Sequence, residues 1–222
     1  MSFVAQCIED SLPIWASCLS TPFLRGVADG SLPEDCFKGY IVDDSLYLRE
    51  YSKVFAWGII NARDMEDIRA YYSLLAFVNE AEDTTRLHYL RRYQLTDAQI
   101  QPLPLRPENR AYVDYMLDAA KNAPGAAECM MACLPCMLSY GWIFGEIIKR
   151  SPPSDNSPYL RFISDYAGGQ YDAVCRAWTD FADSACQDLS DARRAHCMEI
   201  FRACSQHEYN FWQMSARPRT DI

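Results

Sequence analysis

Three cysteines and a tyrosine recur at regular intervals in one segment: Cys129, Cys133, Cys136 and Tyr140, spaced by four, three and four residues. On an α-helix these intervals place all four side chains on one face. Pro135 directly precedes Cys136 and favours a kink at that point. A thiol beside a phenol on such a face is either a packing residue of the core or a nucleophile that lines a pocket. The segment alone leaves both interpretations open.

A metal site is an alternative use of the same cysteines. Their spacing matches the cysteine motif that holds an iron–sulfur cluster in radical enzymes that use S-adenosylmethionine, but that motif needs a loop after a strand of an α/β barrel. Here the cysteines lie in a helical pattern, and no further Cys or His pair supplies the four ligands of a zinc finger. The three histidines, His88, His196 and His207, form no Glu-x-x-His motif of a di-iron site. We therefore expect no metal and no cofactor.

Two carboxylates occupy helical stripes that are otherwise apolar. Asp44 lies one turn before Tyr47 in the first stripe, and Glu208 shares the second with Cys204 and Phe211. A carboxylate on such a face must be paired or functional, because burying an unpaired charge is costly. Each therefore either pairs with an arginine or a tyrosine hydroxyl, which composition alone favours, or helps to line a small aromatic pocket.

The elements that must position these residues are helical almost throughout the chain. The pattern predicts an all-α, single-domain helical bundle of about seven or eight helices over residues 1–222. Ser31 is predicted to cap a long helix with Glu34 as its capping-box partner, and residues 215–222 are expected to form a frayed polar tail. Further helices are predicted from about Met65 to Tyr93, from Pro107 to the break at Pro124-Gly125, and from Ala126 to Arg150. Three more are predicted from Tyr159 to Asp165, from the turn at 167–169 to about Asp188, and from Ser190 to about Met214.

Composition limits the class of protein and its partners. Half of the 222 residues are hydrophobic and the net charge is −9, which is typical of a globular protein and argues against nucleic acid as a partner. The amino terminus lacks the pattern of a signal peptide, and charged residues are expected to interrupt every candidate membrane span. The ten cysteines should be mostly reduced thiols. We therefore expect a soluble, cytoplasmic protein without a membrane partner.

Several short motifs follow one another in a fixed order along the chain. With these motifs the chain resembles the TenA/thiaminase II family over nearly its whole length, and retention of Cys136 resembles the cysteine-dependent branch of that family. The motifs are Phe23-x-x-Gly26-x-x-x-Gly30-Ser-Leu-Pro33, Asp44-x-x-Tyr47-Leu48, Leu134-Pro-Cys136-x-x-x-Tyr140, Tyr159-x-x-Phe-Ile-x-x-Tyr166 and Glu208-x-x-Phe211-Trp212.

The resemblance implies a haem-oxygenase-like all-α fold and a homotetramer or homodimer. It implies hydrolysis of 4-amino-5-aminomethyl-2-methylpyrimidine to the hydroxymethylpyrimidine and ammonia, with weaker cleavage of thiamin. Cys136 would be the nucleophile, Asp44 would hydrogen-bond the aminopyrimidine, and Glu208 would be the acid/base. The substrate-binding residues implied in the same way are Tyr47, Tyr112, Tyr140, Tyr166 and Phe211.

Some positions depart from the family pattern. Asp43 stands where many members carry Gln, Phe162 replaces a common Trp, and the run from Ala167 to Tyr171 differs. The preferred substrate therefore stays open between thiamin, its aminomethylpyrimidine product and a formylated relative. Two alternatives on the same fold are an oxidase or oxygenase, for which three scattered histidines are few, and a non-enzymatic ligand-binding or regulatory protein. A thiol together with two carboxylates favours chemistry over binding alone.

Overall fold

Helices make up the regular secondary structure of the computed structural model, which describes residues 1–78 and 83–222. No β-strand occurs within those two ranges, so the predicted all-α class is confirmed. Eleven helices are present there instead of about seven or eight, because two short helices give no clear periodic pattern and the stretch predicted from Met65 to Tyr93 contains two helices. In chain order they are α1 (Phe3–Cys18), α2 (Pro22–Asp29), α3 (Glu34–Ile60), α4 (Met65–Phe77), α5 (Asp83–Arg92), α6 (Asp97–Ile100), α7 (Pro107–Lys121), α8 (Ala126–Arg150), α9 (Leu160–Tyr166), α10 (Gly169–Ala185) and α11 (Asp191–Ser215).

Most helices that carry candidate residues begin where the sequence predicts. Pro107 occupies the first turn of α7, where its missing N–H costs nothing, and α8 begins directly after Gly125. At the start of α11 the Ser190 hydroxyl accepts a hydrogen bond from the Arg193 amide. The stretch predicted from Met65 to Tyr93 consists of α4 and α5, and residues 79–82 between them lie outside the described ranges.

The start of α3 differs from the prediction. Pro33 precedes the helix without a side-chain cap, and α3 begins at Glu34. The Ser31 hydroxyl instead donates to the Asp29 carboxylate at 2.5 Å, at the end of α2. The predicted capping box of Ser31 and Glu34 is therefore wrong, because a nearer carboxylate takes the hydroxyl that would have capped α3.

Helix α8 lies at the centre of the bundle, where it packs against α1, α3, α7, α10 and α11. Its segment between Glu128 and Glu146 carries no charge, and α8 is the one helix of the described ranges that is long and apolar enough to cross a membrane. This corrects the expectation that charged residues interrupt every candidate span. The surrounding helices bury 67% of its apolar stretch, as is usual for the core helix of a globular protein.

A tyrosine between α3 and α4 helps to hold α3 against α8. A Cβ atom on Gly58 would lie 2.2 Å from the ring of Tyr71, so only glycine lets α4 approach α3 this closely. The Tyr71 hydroxyl donates to the carbonyl of Ala126 at 2.5 Å, at the first residue of α8. Tyr71 thereby connects the two helices that carry Asp44 and Cys136.

The carboxy-terminal tail is attached to α3. The side chain of Arg219 is 1% exposed, and it pairs with Asp43 of α3 at 2.7 Å. The tail runs close to that helix, since a Cβ atom on Gly39 would lie 3.1 Å from the main-chain nitrogen of Arg219. The expectation of a frayed tail over residues 215–222 does not fit these contacts, because buried ion pairs anchor a polar segment that apolar packing would not.

Candidate active site

A pocket opens between α3, α8, α9 and α10, and candidate residues from three of these helices line it. Asp44 comes from α3, Cys136 and Tyr140 come from α8, and Tyr166 is the last residue of α9. The pocket is narrow and partly open to solvent, and five of its ten lining residues are aromatic. The lining residues are Asp44, Leu48, Tyr51, Val78, Cys136, Met137, Tyr140, Tyr166, Tyr171 and Trp178.

The three cysteines on the shared face of α8 differ in exposure. Cys129 and Cys133 are fully buried, whereas Cys136 is half-buried. Burial raises the pKa of Cys129 to about 11 and raises the pKa of Cys133 well above its ordinary value. Both therefore stay protonated and act as apolar packing groups. Cys136 is the thiol that lines the pocket, and Glu208 of α11 lies close enough to interact with it.

Glu208 lies immediately behind Cys136 and is 2% exposed. Its Oε1 atom accepts a hydrogen bond from the Tyr112 hydroxyl at 2.8 Å. Burial raises the pKa of Glu208 to about 7, although its hydrogen bonds with Tyr112 and Cys136 act in the opposite direction. A carboxyl group that titrates near neutral pH and contacts a thiol can both accept and return the thiol proton.

Three of the candidate substrate-binding residues pack behind the pocket wall instead of lining the pocket. The ring of Tyr47 lies 5.1 Å from that of Tyr112 and 5.8 Å from that of Phe211, measured between centroids. Burial raises the pKa of Tyr47 and of Tyr112 well above the ordinary value, so both remain neutral phenols. This aromatic layer surrounds Glu208 and excludes water from it, which is the cause of its raised pKa.

Asp44 and Tyr140 face each other across the pocket from α3 and α8. Asp44 is half-buried, and the Tyr140 hydroxyl shares a hydrogen bond of 3.1 Å with the Tyr40 hydroxyl. Burial raises the pKa of Tyr140, and the nearby Asp44 and Cys136 raise that pKa further. The ring of Tyr140 also packs edge-on against Tyr166 at 5.0 Å. The pocket therefore combines a carboxylate, a thiol and neutral phenols on aromatic walls.

Of the lining residues from α10, the sequence analysis noted Tyr171 only within the run that departs from the family pattern, and it did not identify Trp178. Trp178 and Tyr171 are both buried, and the Tyr171 hydroxyl donates to the carbonyl of Met137 at 3.1 Å. No motif marks them, because their role depends on how α10 packs against α8. Tyr51 was detectable, since it continues the helical stripe of Asp44 one turn beyond Tyr47.

The departures from the family pattern lie mostly off the pocket wall. Asp43 is fully buried among arginines, and Phe162 packs edge-on behind Tyr166 at 5.3 Å. Gly168 and Gly169 begin α10, and a Cβ atom at either position would meet no atom within 4 Å. Of the residues in that run, Tyr171 lines the pocket.

Metal ligands are not grouped in this part of the molecule. Among the described residues, no three His, Cys, Asp or Glu side chains come close enough together to hold a metal ion. The histidine nearest to Glu208 in sequence, His207, stacks on the ring of Tyr112 with centroids 5.3 Å apart. Burial lowers the pKa of His207, so its imidazole is neutral at physiological pH. His207 is therefore a neutral ring packed on Tyr112.

Comparison with known proteins agrees with this geometry. A family model described as the TENA/THI-4/PQQC family matches residues 9–218. An aminopyrimidine aminohydrolase of Helicobacter pylori is 31% identical over 209 residues, covering 93% of this chain and 95% of that protein. Another, of Halalkalibacterium halodurans, is 28% identical over 220 residues, covering 99% of this chain and 97% of that one.

The fold also agrees with a solved structure of a TenA homologue from P. horikoshii OT3. That structure matches with a TM-score of 0.85 over 98% of this chain and 99% of its own, at 24% identity. The expected haem-oxygenase-like all-α fold is thereby confirmed. The matched family model, which spans nearly the whole sequence, completes the assignment: the chain belongs to the TENA/THI-4/PQQC family.

Proposed function

We propose that this protein is a hydrolase of thiamin salvage. Its reaction would convert 4-amino-5-aminomethyl-2-methylpyrimidine and water to 4-amino-5-hydroxymethyl-2-methylpyrimidine and ammonia, and it would also cleave thiamin to hydroxymethylpyrimidine and thiazole. Relatives named aminopyrimidine aminohydrolase support the reaction class. The observation that carries the proposal is the interaction between the Cys136 thiol, which lines an aromatic pocket, and the buried carboxyl group of Glu208.

Binding would place the flat heterocycle between the tyrosine rings of the pocket. Aromatic walls stack on such a ring and exclude water from it. Asp44 would hydrogen-bond the aminopyrimidine from α3 and hold the ring beside Cys136. Tyr140 and Tyr166 would contact the ring from α8 and α9, while Tyr47, Tyr112 and Phe211 support Cys136 and Glu208 from behind.

Chemistry would begin when Glu208 accepts the proton of Cys136. The thiolate adds to a ring carbon, and the electron pair of that addition then expels the amino group from the exocyclic methylene carbon as ammonia, which takes the proton from Glu208. Water adds to the methylene carbon and gives a proton to Glu208, the C–S bond breaks, and the departing thiolate recovers that proton from Glu208. The net change is water consumed and ammonia released, with the cysteine regenerated and no cofactor required.

Ammonia release from the aminomethylpyrimidine tests this function, with thiamin as the second substrate. Wild type should turn over the aminomethylpyrimidine, and Cys136→Ala should lose activity by on the order of 10³-fold or more while still binding the product. Cys175→Ala is the matched control, because Cys175 is also half-buried but does not line the pocket. A folded wild type that releases neither ammonia nor thiazole contradicts the proposal and favours a ligand-binding or regulatory role.

We further propose that the protein acts in the cytoplasm as a homotetramer or homodimer. The exposed side chains of Ile60, Met65 and Tyr72, at the end of α3 and on α4, offer apolar surface for contacts between subunits. Size-exclusion chromatography with light scattering checks the assembly. A mass of four or two chains supports the proposal, and a mass of one chain contradicts it.

A further inference from the structure

Four charged side chains form a cluster beside the site, here called the ion cluster, in which Asp43 and Arg219 are buried and Arg106 and Asp221 are partly exposed. Arg219 contacts Asp43 at 2.7 Å through Nη1 and Asp221 at 2.7 Å through Nη2. Arg106 donates to the other carboxylate oxygen of Asp43, whose side chain is fully buried. Two positive and two negative charges thus balance within the cluster.

The ion cluster connects three segments that are far apart in sequence. Asp43 belongs to α3, Arg106 precedes α7, and Arg219 with Asp221 belongs to the tail that follows α11. Main-chain contacts reinforce the connection, because Arg219 donates to the carbonyl of Pro104 at 2.9 Å and Arg106 donates to the carbonyl of residue 217 at 2.8 Å. These segments adjoin the helices that carry Asp44, Tyr112 and Glu208.

The contact with α3 occurs at the residue next to Asp44. The carbonyl of Asp43 accepts a hydrogen bond of 2.8 Å from the buried Asn109 amide of α7. One turn further along each helix, Tyr47 of α3 packs against Tyr112 of α7 at 5.1 Å. The alignment of α3 with α7 is therefore set at the turn that carries the site.

Stability alone is a weak reason for such a cluster. Removing charges from water costs nearly as much as their attraction returns, so a buried ion pair often contributes little net stability while it still specifies one arrangement. A bidentate guanidinium is well suited to that purpose, because its planar donors fix direction as well as distance.

We propose that the ion cluster positions the active site, with Arg219 holding Asp43 so that Asp44 is placed to bind the substrate ring. Arg106, Arg219 and Asp43 are positioning residues, since none of them lines the pocket. The kinetic consequence rests on the proposed function, because Asp44 would bind the ground state and the transition state alike. Loosening the position of Asp44 should therefore raise KM more than it lowers kcat.

The test compares Arg219→Gln with Arg92→Gln. The control removes an exposed ion pair of 2.9 Å with Glu34, which also lies on α3 but far from the cluster. Arg219→Gln should raise KM by on the order of tenfold with kcat within about twofold of wild type, whereas Arg92→Gln should change neither. A folded Arg219→Gln variant with an unchanged KM overturns the proposal, even if its melting temperature falls.

Two further measurements keep the test decisive. If circular dichroism shows that Arg219→Gln does not fold, Arg219→Lys tests the proposal instead. Lysine keeps a positive charge next to Asp43 but lacks the forked donors of the guanidinium group. The KM of Arg219→Lys should rise by about threefold, and a wild-type KM overturns the proposal.

If wild type releases no ammonia, the proposed function fails. Alkylation of Cys136 by iodoacetamide then tests whether the ion cluster positions the site. Mass spectrometry of the peptide that contains Cys136 measures the rate without any substrate. Arg219→Gln should be alkylated about threefold faster, because the packing of α3 on α7 behind Cys136 loosens. In this case a rate equal to wild type overturns the proposal.

Discussion

Replacing Glu208 by glutamine removes the proposed proton transfer while it keeps the shape of the side chain. Glutamine keeps the size of the side chain and can still accept the hydrogen bond from Tyr112, but it cannot take the proton of Cys136. We expect Glu208→Gln to lower kcat/KM for the aminomethylpyrimidine by on the order of 10²- to 10⁴-fold, the usual contribution of a positioned acid or base.

The raised pKa of Glu208 predicts the pH dependence of the rate. Because this pKa is about 7, the carboxyl is mostly protonated below that pH and is a base above it. The kcat/KM of wild type should therefore rise about tenfold per pH unit below about pH 7 and level off above it. Glu208→Gln should lack this dependence.

The same pKa predicts that the variant gains stability as it loses activity. Burial raises the pKa of Glu208 from an ordinary value of 4.5 to about 7, so the folded protein holds an extra proton between these values and its stability falls as pH rises through them. At about 1.36 kcal/mol per pH unit, this cost is about 3 kcal/mol above pH 7. Glu208→Gln removes the cost, so it should unfold at higher urea concentration than wild type at alkaline pH and at a similar concentration near pH 4.

Glu146→Gln is the matched control, because Glu146 lies on the surface of α8 with Lys149 and Arg150 and makes no contact with the pocket. Ammonia release measured from about pH 5 to 9, and urea unfolding measured near pH 4 and near pH 9, give the two curves. The reasoning is refuted if the wild-type rate does not change with pH, or if Glu208→Gln keeps activity within about threefold of wild type.

Two further predictions concern the partners of the reacting groups. Asp44→Asn should raise KM by about tenfold or more with a smaller change in kcat, since a charged acceptor to the substrate becomes neutral, and steady-state kinetics beside the exposed control Asp35→Asn checks this. An unchanged KM would remove Asp44 from substrate binding. Tyr112→Phe removes a hydrogen bond that lowers the pKa of Glu208, so the acidic limb of the pH–rate profile should move to higher pH. Tyr115→Phe on the same helix should leave the limb in place, and a limb unmoved in Tyr112→Phe would contradict the assigned role of Tyr112.

The proposed activation of the thiol by a carboxylate instead of a histidine depends on the way the helices pack. A histidine base would need no burial to titrate near neutral pH, whereas a carboxyl reaches that range only when water is removed from it. Tyr47, Tyr112 and Phe211 remove water from Glu208, which explains why three large aromatic residues lie behind the pocket. We expect alanine at position 47 or 211 to lower the pKa of Glu208, because water would reach the carboxyl group.

Several elements were predictable from local pattern. The bounds of α8, Ala126–Arg150, follow from an apolar run between Gly125 and the polar segment after Arg150, and the cap of α11 follows from Ser190. The capping box predicted for Ser31 does not form, because the Asp29 carboxylate accepts the hydrogen bond of its hydroxyl. Long-range ion pairs anchor the tail, whose composition alone indicated fraying. Contacts between distant segments leave no periodic signal in the chain.

The sequence by itself determined which residues could react. Helical spacing assigned Cys136 to a face with Tyr140. Asp44 and Glu208 were identified because a carboxylate on an apolar helical stripe must be paired or functional. Only the tertiary structure decided what those groups do to one another. The packing of α8 against α11 brings Glu208 to Cys136, and the surrounding aromatic rings remove the water that would otherwise keep the pKa of Glu208 low. Burial and contact across helices are properties of the folded core, and no local pattern specifies them.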